Sequence, residues 1–216
     1  MSLISLNNIK KGYDKNQVIL DDLSLEIDKG EFIGFVGKSG AGKTTLLNVI
    51  GLITDISEGE VVIDNCIIKS INCKKAMLLR RYTLGYLFQN YGLIEDESVL
   101  WNLKLALEYK KVPRKEKEKI IKDNLEQFDL IHLVDRKVYQ LSGGEQQRIA
   151  IVKLILQGSQ IILADEPTSG LDKDNETIVM ELLKELNEKG TTIIMVTHNM
   201  NLCSYFSRVI NVEEFK

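Results

Sequence analysis

A glycine-rich segment at residues 37–44, GKSGAGKT, is the first part of the chain whose residue types point to chemistry. Its spacing matches G-x-x-x-x-G-K-[ST], in which the glycines let backbone N–H groups curl around phosphate oxygens. The lysine of such a loop reaches the outer phosphates, and the hydroxyl that follows it binds Mg²⁺. We therefore predict a nucleotide site formed by Gly37, Lys38, Ser39, Gly40, Ala41, Gly42, Lys43, Thr44 and Thr45.

Two adjacent carboxylates, Asp165 and Glu166, end the apolar run IILADE. Adjacent residues at the end of a strand point to different sides, so the two carboxylates need not share a role. Asp165 suits a Mg²⁺ shell of oxygen ligands and water. Glu166 suits polarisation of the attacking water in phosphoryl transfer. The alternative is a polar turn after a buried strand, with Pro167 as the breaker, and the phosphate loop upstream favours the catalytic interpretation.

A second phosphate-facing helix start lies at residues 141–150, LSGGEQQRIA. Ser142 is a good N-cap residue, and Gly143 and Gly144 expose backbone N–H groups at the positive end of the helix. One nucleotide has one triphosphate, and residues 37–44 already surround it. The stretch therefore predicts either an ordinary capped helix or a site that faces the nucleotide of another copy.

Four other residues are ambiguous when taken one at a time. His198 follows the apolar run TTIIMV, and a lone histidine is more often structural than catalytic. Gln89, at the end of LGYLFQ, could be a simple turn residue, and Tyr13, in KKGYDK, an ordinary loop aromatic. The second histidine, His132, lies in a helical region, and we expect it to be structural.

The pattern of apolar residues indicates which elements hold these groups. Short apolar runs predict strands at LISLNNI, QVIL, LSLEI, FIGFV and LGYLFQ, with EVVID and CIIK joined by the turn dipeptide Asp64–Asn65. A helix is predicted from Gly42. Two more lie between residues 90 and 140, where Val99, Leu103 and Leu107, and then Ile121, Leu125 and Phe128, recur at helical spacing. From residue 142 helices alternate with apolar strands, the last being RVINVEEF, which predicts a parallel sheet covered by helices.

The composition is that of an ordinary globular protein. Of 216 residues 44% are hydrophobic and 27% charged, and the net charge of -3 argues against a nucleic-acid partner. Cys66, Cys73 and Cys203 have no C-x-x-C spacing, which predicts free thiols in a reducing compartment. The first residues do not resemble a secretory signal, and polar residues interrupt the longest apolar zone, residues 149–164. We expect a cytoplasmic protein.

Together the motifs resemble the ATP-binding subunit of ABC transporters over nearly the whole chain. GKSGAGKT resembles the Walker A loop, IILADE the Walker B strand with its catalytic glutamate, LSGGEQQ the signature, and SGLD, residues 169–172, the D-loop. Gln89 falls at the Q-loop, His198 at the switch histidine and Tyr13 at the adenine-stacking aromatic. The chain departs from the family pattern at Glu145, where many members have glutamine, and at Ile56, where many have proline.

The resemblance implies an α/β fold of the P-loop NTPase class. We expect a mainly parallel sheet flanked by helices, an N-terminal antiparallel β-subdomain and an inserted helical subdomain. Residues 1–216 would form one domain, with a core of about 1–89 and 141–216 and a helical subdomain of about 90–140.

The resemblance also implies a site shared between two copies. In that family two ATP-binding domains pack head to tail, and each ATP lies between the Walker A loop of one and the signature of the other. ATP and Mg²⁺ are the implied cofactors. Glu166 would orient water, His198 would hold the γ-phosphate, and Asp172 would couple the two sites. The implied metal ligands are Thr44, Gln89 and Asp165, and the residues that act on the partner's nucleotide are Ser142, Gly143, Gly144 and Glu145.

The implied partners are a second copy, in an ATP-dependent homodimer, and an integral membrane permease that would dock near residues 89–97. The protein would then lie on the inner face of the cell membrane. The stretches RRYTLGYLFQNYGLIEDESVLWNL and EQQRIAI are similar to exporters of the macrolide and lipoprotein-release types, and YLFQNYGLIEDESV to the bacteriocin-export group. We expect an ATPase that powers export of peptide, bacteriocin or antimicrobial-type cargo. The alternatives are an ATP-gated regulatory module with little transport and a non-transport ABC ATPase.

Overall fold

A computed structural model describes residues 2–14 and 17–215 of the chain. Within these residues the chain forms strands, α-helices and short 3-10 turns. The strands are β1 (Ser2–Asp14), β2 (Gln17–Asp28), β3 (Phe32–Val36), β4 (Glu58–Ile63), β5 (Cys66–Ile68), β6 (Leu84–Leu87), β7 (Ile161–Asp165), β8 (Thr192–Val196) and β9 (Arg208–Asn211). The helices are α1 (Lys43–Ile50), α2 (Lys74–Tyr82), α3 (Val99–Ala106), α4 (Arg114–Gln127), α5 (Gly143–Gln157) and α6 (Lys173–Glu188).

The strands form two sheets of different kinds. An antiparallel sheet has the order β2-β1-β4-β5, and a parallel sheet has the order β6-β7-β8-β3-β9. The central strands of the parallel sheet are fully buried, as expected for a sheet with helices on both faces. This is the predicted α/β architecture, with the predicted antiparallel N-terminal sheet.

The turn between β4 and β5 forms as its two residues predict. Asp64 and Asn65 both have positive φ, 49° and 59°, which a two-residue hairpin turn of the favoured twist requires. The pairs Ile63–Cys66 and Val62–Ile67 continue the ladder on either side. The local sequence therefore determines the register of this hairpin.

Buried apolar side chains form separate groups on the two faces of the parallel sheet and within the helices that follow it. One group joins the antiparallel sheet, α1 and one face of the parallel sheet, and includes Leu6, Leu46 and Leu163. Another lies under α5 and α6, and a further group lies among α3, α4 and α5. Because α5 contributes to both of these, it connects the parallel sheet to the helices of residues 99–127. The limits of the core and helical subdomains stay predictions.

Three predicted elements differ in extent from the structure. QVIL and LSLEI belong to one strand, β2, because the aspartates between them lie at an irregularity: Asp22 has φ 50° and its carboxylate accepts a hydrogen bond of 2.6 Å from Asn8 Nδ2. The strand LGYLFQ ends at Leu87, two residues before Gln89. The strand RVINVEEF ends at Asn211, whose side-chain oxygen accepts the Glu213 N–H at 3.2 Å and so replaces a ladder bond with a local turn.

Helix α2 was not predicted. Its sequence KKAMLLRRY is largely charged, and it buries only Ala76 and Leu79. The apolar residues of α2 are therefore too few to give a recognisable helical repeat in the sequence. The position of the helix depends on its packing against the parallel sheet.

The remaining predictions about the chain as a whole concern thiols and membrane spans. Cys66, Cys73 and Cys203 are unpaired thiols, as predicted. Among the described helices none has the length and apolar content that crossing a bilayer requires.

The order β7-β8-β3 brings three loops together at the carboxyl edge of the parallel sheet. The Glu166 N–H, after β7, donates to the Val196 carbonyl at 3.0 Å. The Thr197 N–H, after β8, donates to the Phe35 carbonyl of β3 at 3.1 Å. These bonds connect the segments that carry the phosphate loop, the carboxylate pair and His198, in the crevice where open α/β sheets bind ligands.

Candidate nucleotide site

A cavity of about 570 Å³ opens at this edge of the sheet. It brings together most of the predicted phosphate loop with the two predicted catalytic residues, from loops that follow three different strands. Its lining residues are Ile19, Ser39, Gly40, Ala41, Gly42, Lys43, Thr44, Thr45, Glu166 and His198. Gly37 and Lys38 lie at the base of the loop, outside this lining.

The loop between β3 and α1 has a backbone that only glycine adopts without strain at several points. Gly37, Gly40 and Gly42 have φ of 139°, 75° and 93°. Gly42 is also the N-cap of α1, so the loop runs directly into the positive end of a helix. Backbone N–H groups in such a loop, followed by a helix N-terminus, form an anion site.

The Lys43 ammonium lies within this loop. Its Nζ donates to the Gly37 carbonyl at 2.7 Å and to the Lys38 carbonyl at 2.8 Å, and the side chain is buried. The two bonds compensate for the loss of water around the charge. The ammonium is therefore held at the site where phosphate oxygens would lie.

Thr44 and Asp165 meet beside the cavity. The Thr44 hydroxyl donates to Asp165 Oδ1 at 3.2 Å. Burial raises the pKa of Asp165 and the Glu166 charge adds to this, although the hydrogen bond from Thr44 acts in the opposite direction. A hydroxyl and a carboxylate side by side are hard oxygen donors of the kind that Mg²⁺ shares with water and phosphate, so these residues fit that ion.

Glu166 and His198 also meet at the cavity. His198 Nδ1 lies 3.1 Å from Glu166 Oε1, with the glutamate side chain 26% exposed and the histidine side chain 67% exposed. Glu166 has φ 46°, an unfavourable conformation for a residue with a side chain, and its bond to Val196 maintains it. With Nδ1 turned to this carboxylate, Nε2 is the other ring nitrogen, and it must carry a proton to donate to a phosphate oxygen.

Gln89 and Tyr13 are two further residues predicted for the site. Gln89 is exposed in the turn after β6 and does not line the cavity. Tyr13 belongs to β1, but its side chain lies outside the described part of the chain. Their roles stay predictions. Ile19 of β2 does line the cavity, and no motif in the sequence marks it.

The segment 142–145 starts α5 with a reciprocal cap. The Ser142 hydroxyl oxygen accepts the Glu145 N–H at 3.3 Å, and the Glu145 carboxylate accepts the Ser142 N–H at 2.7 Å and its hydroxyl at 2.8 Å. Partial burial acts to raise the pKa of Glu145, but the bonds from Ser142 and the charges of Arg148 and Arg136 lower it overall. A carboxylate therefore suits this position of the capping box.

Gly144 faces a residue that sequence reasoning missed. A methyl group in place of its hydrogen would overlap the amide of Asn175. Asn175 in turn donates from its backbone N–H to Asp172 Oδ1 and from Nδ2 to Asp172 Oδ2, both at 2.8 Å. These bonds lower the pKa of Asp172, the N-cap of α6. The start of α5 and the predicted D-loop thus contact each other through one amide.

Gly143 is similarly close to Tyr91, since a methyl group there would lie 2.9 Å from the tyrosine hydroxyl oxygen. Tyr91 follows Gln89 in a turn with φ 63°. The segment after β6 therefore packs on the first residue of α5. No sequence pattern identified Tyr91 or Asn175, because each contact joins residues far apart along the chain.

None of residues 142–145 lines the cavity, and Ser142 is exposed. Within the described part of the chain, the starts of α1 and α5 therefore do not line a common cavity.

Comparisons with known proteins bear on this geometry. A family model described as ABC transporter matches residues 20–169. The chain is 39% identical over 212 residues to the macrolide export ATP-binding/permease protein MacB of Campylobacter jejuni, a match that covers 98% of this chain and 33% of that protein. The chain thus spans about a third of the length of this relative.

Two other relatives are nearer to the chain in length. It is 38% identical to the uncharacterized ABC transporter ATP-binding protein MJ0796 of Methanocaldococcus jannaschii, over 98% of this chain and 94% of that protein. The solved dimeric structure of the MJ0796 cassette in a post-hydrolysis state, bound to ADP and Pi, superposes with a TM-score of 0.86 and 36% identity, covering 96% of this chain and 93% of that one. YvcR of Bacillus subtilis, also described as an uncharacterized ABC transporter ATP-binding protein, is 34% identical over 99% of this chain and 85% of its own length.

Proposed function

The chain belongs to the ABC transporter family as an ATP-binding cassette, and we propose that it hydrolyses ATP to power a membrane permease. The observation that carries this proposal is the meeting of Glu166 and His198, 3.1 Å apart, in the cavity lined by the phosphate loop. This proximity supports the proposal that a carboxylate base and an imidazole act on the terminal phosphate.

We infer a division of labour from the contacts of each group. The backbone N–H groups of residues 39–44 and the Lys43 ammonium bind the phosphates. Glu166 orients the water that attacks the terminal phosphate or accepts a proton from it, because the Glu166 carboxylate lies in the cavity. His198 positions both this carboxylate and the departing phosphate. Gly37, Lys38 and Thr45 complete the binding loop.

Thr44 and Asp165 would hold Mg²⁺, with Gln89 as a further ligand. The ion would neutralise charge on the phosphates and orient them for in-line attack. The raised pKa of Asp165 fits this role, because a cation beside a half-buried carboxylate compensates for its lost hydration.

The working unit that we propose is a head-to-tail homodimer that forms with ATP. Residues 142–145 are built as an anion-facing helix start, yet they do not line the chain's own cavity. A second copy turned head to tail would present them to the nucleotide. The dimeric cassettes of MJ0796 support a dimer as the functional unit. Asp172, linked to Gly144 through Asn175, would carry changes between the two sites, and Tyr13 would stack on adenine.

We propose export as the direction of transport, with peptide, bacteriocin or other antimicrobial-type cargo. The likeness to MacB, described as a macrolide export ATP-binding/permease protein, supports an exporter. Since this chain matches about a third of that protein, the permease function would belong to a separate segment or chain. The cassette would then act at the inner face of the membrane, with no nucleic-acid partner.

Substitution of the proposed base tests this function. We expect Glu166→Gln to bind ATP and to hydrolyse it at least ~100-fold more slowly, because an amide cannot accept the proton. The variant should also accumulate as a dimer in ATP with Mg²⁺ by size-exclusion chromatography. Normal turnover with no dimer would contradict the role of Glu166.

Transport requires its own measurement. Cargo flux in vesicles that contain the chain with its permease should stop in Glu166→Gln. If ATP hydrolysis is normal but flux is absent in the wild type, the chain is a regulatory module of a membrane complex instead.

A further inference from the structure

One peptide unit at the base of the phosphate loop lies between two opposite charges. The carbonyl of the Gly37–Lys38 peptide accepts from Lys43 Nζ at 2.7 Å. The N–H of the same peptide, that of Lys38, donates to Glu213 Oε1 at 2.8 Å. A cation therefore binds one end of this amide dipole and an anion the other.

Glu213 is brought there by the topology of the sheet. β9 lies beside β3, with Asn211 paired to Val36, so the segments that follow these two strands leave the sheet side by side. One is the phosphate loop, and the other is the 3-10 turn Val212–Phe215. Val212 is fully buried and anchors this turn to the core.

The turn is built closely against the loop. Asn211 Oδ1 accepts the Glu213 N–H at 3.2 Å, which orients the turn. A methyl group on Gly37 would lie 3.2 Å from the same Asn211 oxygen and 3.5 Å from Glu213 Cγ. With φ 139° at Gly37, the entry to the loop has a conformation that requires glycine, and the turn packs against it on this side.

The ammonium at the carbonyl end and the carboxylate at the N–H end both polarise the same amide. Each charge therefore strengthens the hydrogen bond at the opposite end. Bonds to charged groups are also stronger than bonds between neutral ones. The orientation of the Gly37–Lys38 peptide is thus fixed before nucleotide arrives. An ammonium has three donors, and these carbonyls use two of them. Lys43 can therefore reach a phosphate while it keeps its bonds to the loop.

We propose that Glu213 is a positioning residue for nucleotide binding: its carboxylate holds the phosphate loop in the binding conformation. The proposal rests on the proposed function, since it assumes that residues 37–44 bind the phosphates of ATP. Loss of the carboxylate frees the Gly37–Lys38 peptide to rotate, and binding must then order it. The effect falls on nucleotide affinity and not on the hydrolysis step, because Glu213 does not line the cavity that holds Glu166 and His198 and acts only through the Lys38 N–H.

The test compares Glu213→Ala with Glu213→Gln and with Glu214→Ala, which removes an exposed neighbouring carboxylate in the same turn. We expect Glu213→Ala to raise the dissociation constant for ADP with Mg²⁺ about tenfold by calorimetry, the loss of one charged hydrogen bond. Glu213→Gln keeps an acceptor without charge, and we expect a rise of about threefold. Glu214→Ala should stay within about twofold of the wild type.

Steady-state hydrolysis separates positioning from general damage. In Glu213→Ala we expect KM for ATP to rise with the dissociation constant, while kcat at saturating ATP stays within about twofold. Equal affinities for Glu213→Ala and Glu214→Ala would overturn the proposal, as would a fall in kcat with unchanged affinity. If circular dichroism shows that Glu213→Ala does not fold, the test rests on Glu213→Gln. An unchanged ADP affinity of Glu213→Gln would then overturn the proposal. If the wild type itself fails to bind ADP or ATP, the proposed function is wrong instead.

Discussion

Substitution of Gly144 by alanine tests the contact between the start of α5 and α6. The added methyl group would overlap the side chain of Asn175, so one of the two must move. The flexible partner is the Asn175 amide, which would have to move and leave Asp172 Oδ2. The perturbation is therefore a local loss of the link between the start of α5 and the N-cap residue of α6.

The magnitude follows from the overlap itself, because Gly144 is buried. An extra methyl group forced into a well-packed buried position costs about 1–3 kcal/mol. In a chain of this length each 1 kcal/mol lowers Tm by about 2–4 °C. We expect Gly144→Ala to lower Tm by about 2–12 °C.

The assay is thermal unfolding followed by circular dichroism, repeated with the double variant Gly144→Ala/Asn175→Ala. Removal of the asparagine amide relieves the overlap, so the double variant should be no less stable than Asn175→Ala alone. This non-additivity is the signature of two residues in contact. An unchanged Tm for Gly144→Ala, or simple addition of the two single effects, would refute the reasoning. In both Gly144→Ala variants we also expect ATP-dependent dimerisation to weaken, while ADP binding to the monomer is retained.

Two further substitutions test separate parts of the proposed site. Ser142→Arg should leave the ADP affinity of the monomer unchanged, since Ser142 lies outside the chain's own cavity. The ATP-dependent dimer should be absent when the variant is measured by size-exclusion chromatography. Loss of ADP binding to the monomer would contradict a role of Ser142 on the partner's nucleotide. Asp165→Asn should raise Tm without nucleotide at pH 7, because burial makes the ionised carboxyl less stable in the folded chain and so raises its pKa. The carboxyl proton of Asp165 is bound more tightly in the folded wild type than in the unfolded chain. The free energy of unfolding of the wild type, relative to that of Asp165→Asn, therefore falls as pH rises from the ordinary aspartate pKa through the raised pKa. Hydrolysis with Mg²⁺ should be lost in the same variant, and retention of Mg²⁺-dependent turnover would exclude Asp165 as a metal ligand.

Several features were predictable because neighbouring residues encode them. The glycines of GKSGAGKT adopt the left-handed conformations that this spacing requires, and Ser142 caps α5 as an N-cap serine should. The turn at Asp64–Asn65 and the buried positions Val99, Leu103 and Leu107 also follow from local sequence. In each case the residues that interact lie within a few positions of one another.

Other features were not accessible in this way. Helix α2 was missed, and the last strand was predicted to extend beyond Asn211, because packing and a side-chain turn decided these limits. The domain limits and the roles of Gln89 and Tyr13 stay predictions. The contact of Asn175 with Gly144 and of Tyr91 with Gly143 has no sequence pattern, since each depends on how α5 crosses neighbouring segments.

The sequence by itself determined the glycine-rich loop before α1, the parallel α/β architecture and the capped start of α5. Tertiary structure alone decided which groups meet: Glu166 with His198, Thr44 with Asp165, and Glu213 with the Lys38 N–H. Local geometry depends on backbone preferences and hydrogen bonds between near neighbours, which a short stretch of residues specifies. Contacts between distant segments depend on the strand order β7-β8-β3-β9, which the whole chain sets when it buries its apolar surface.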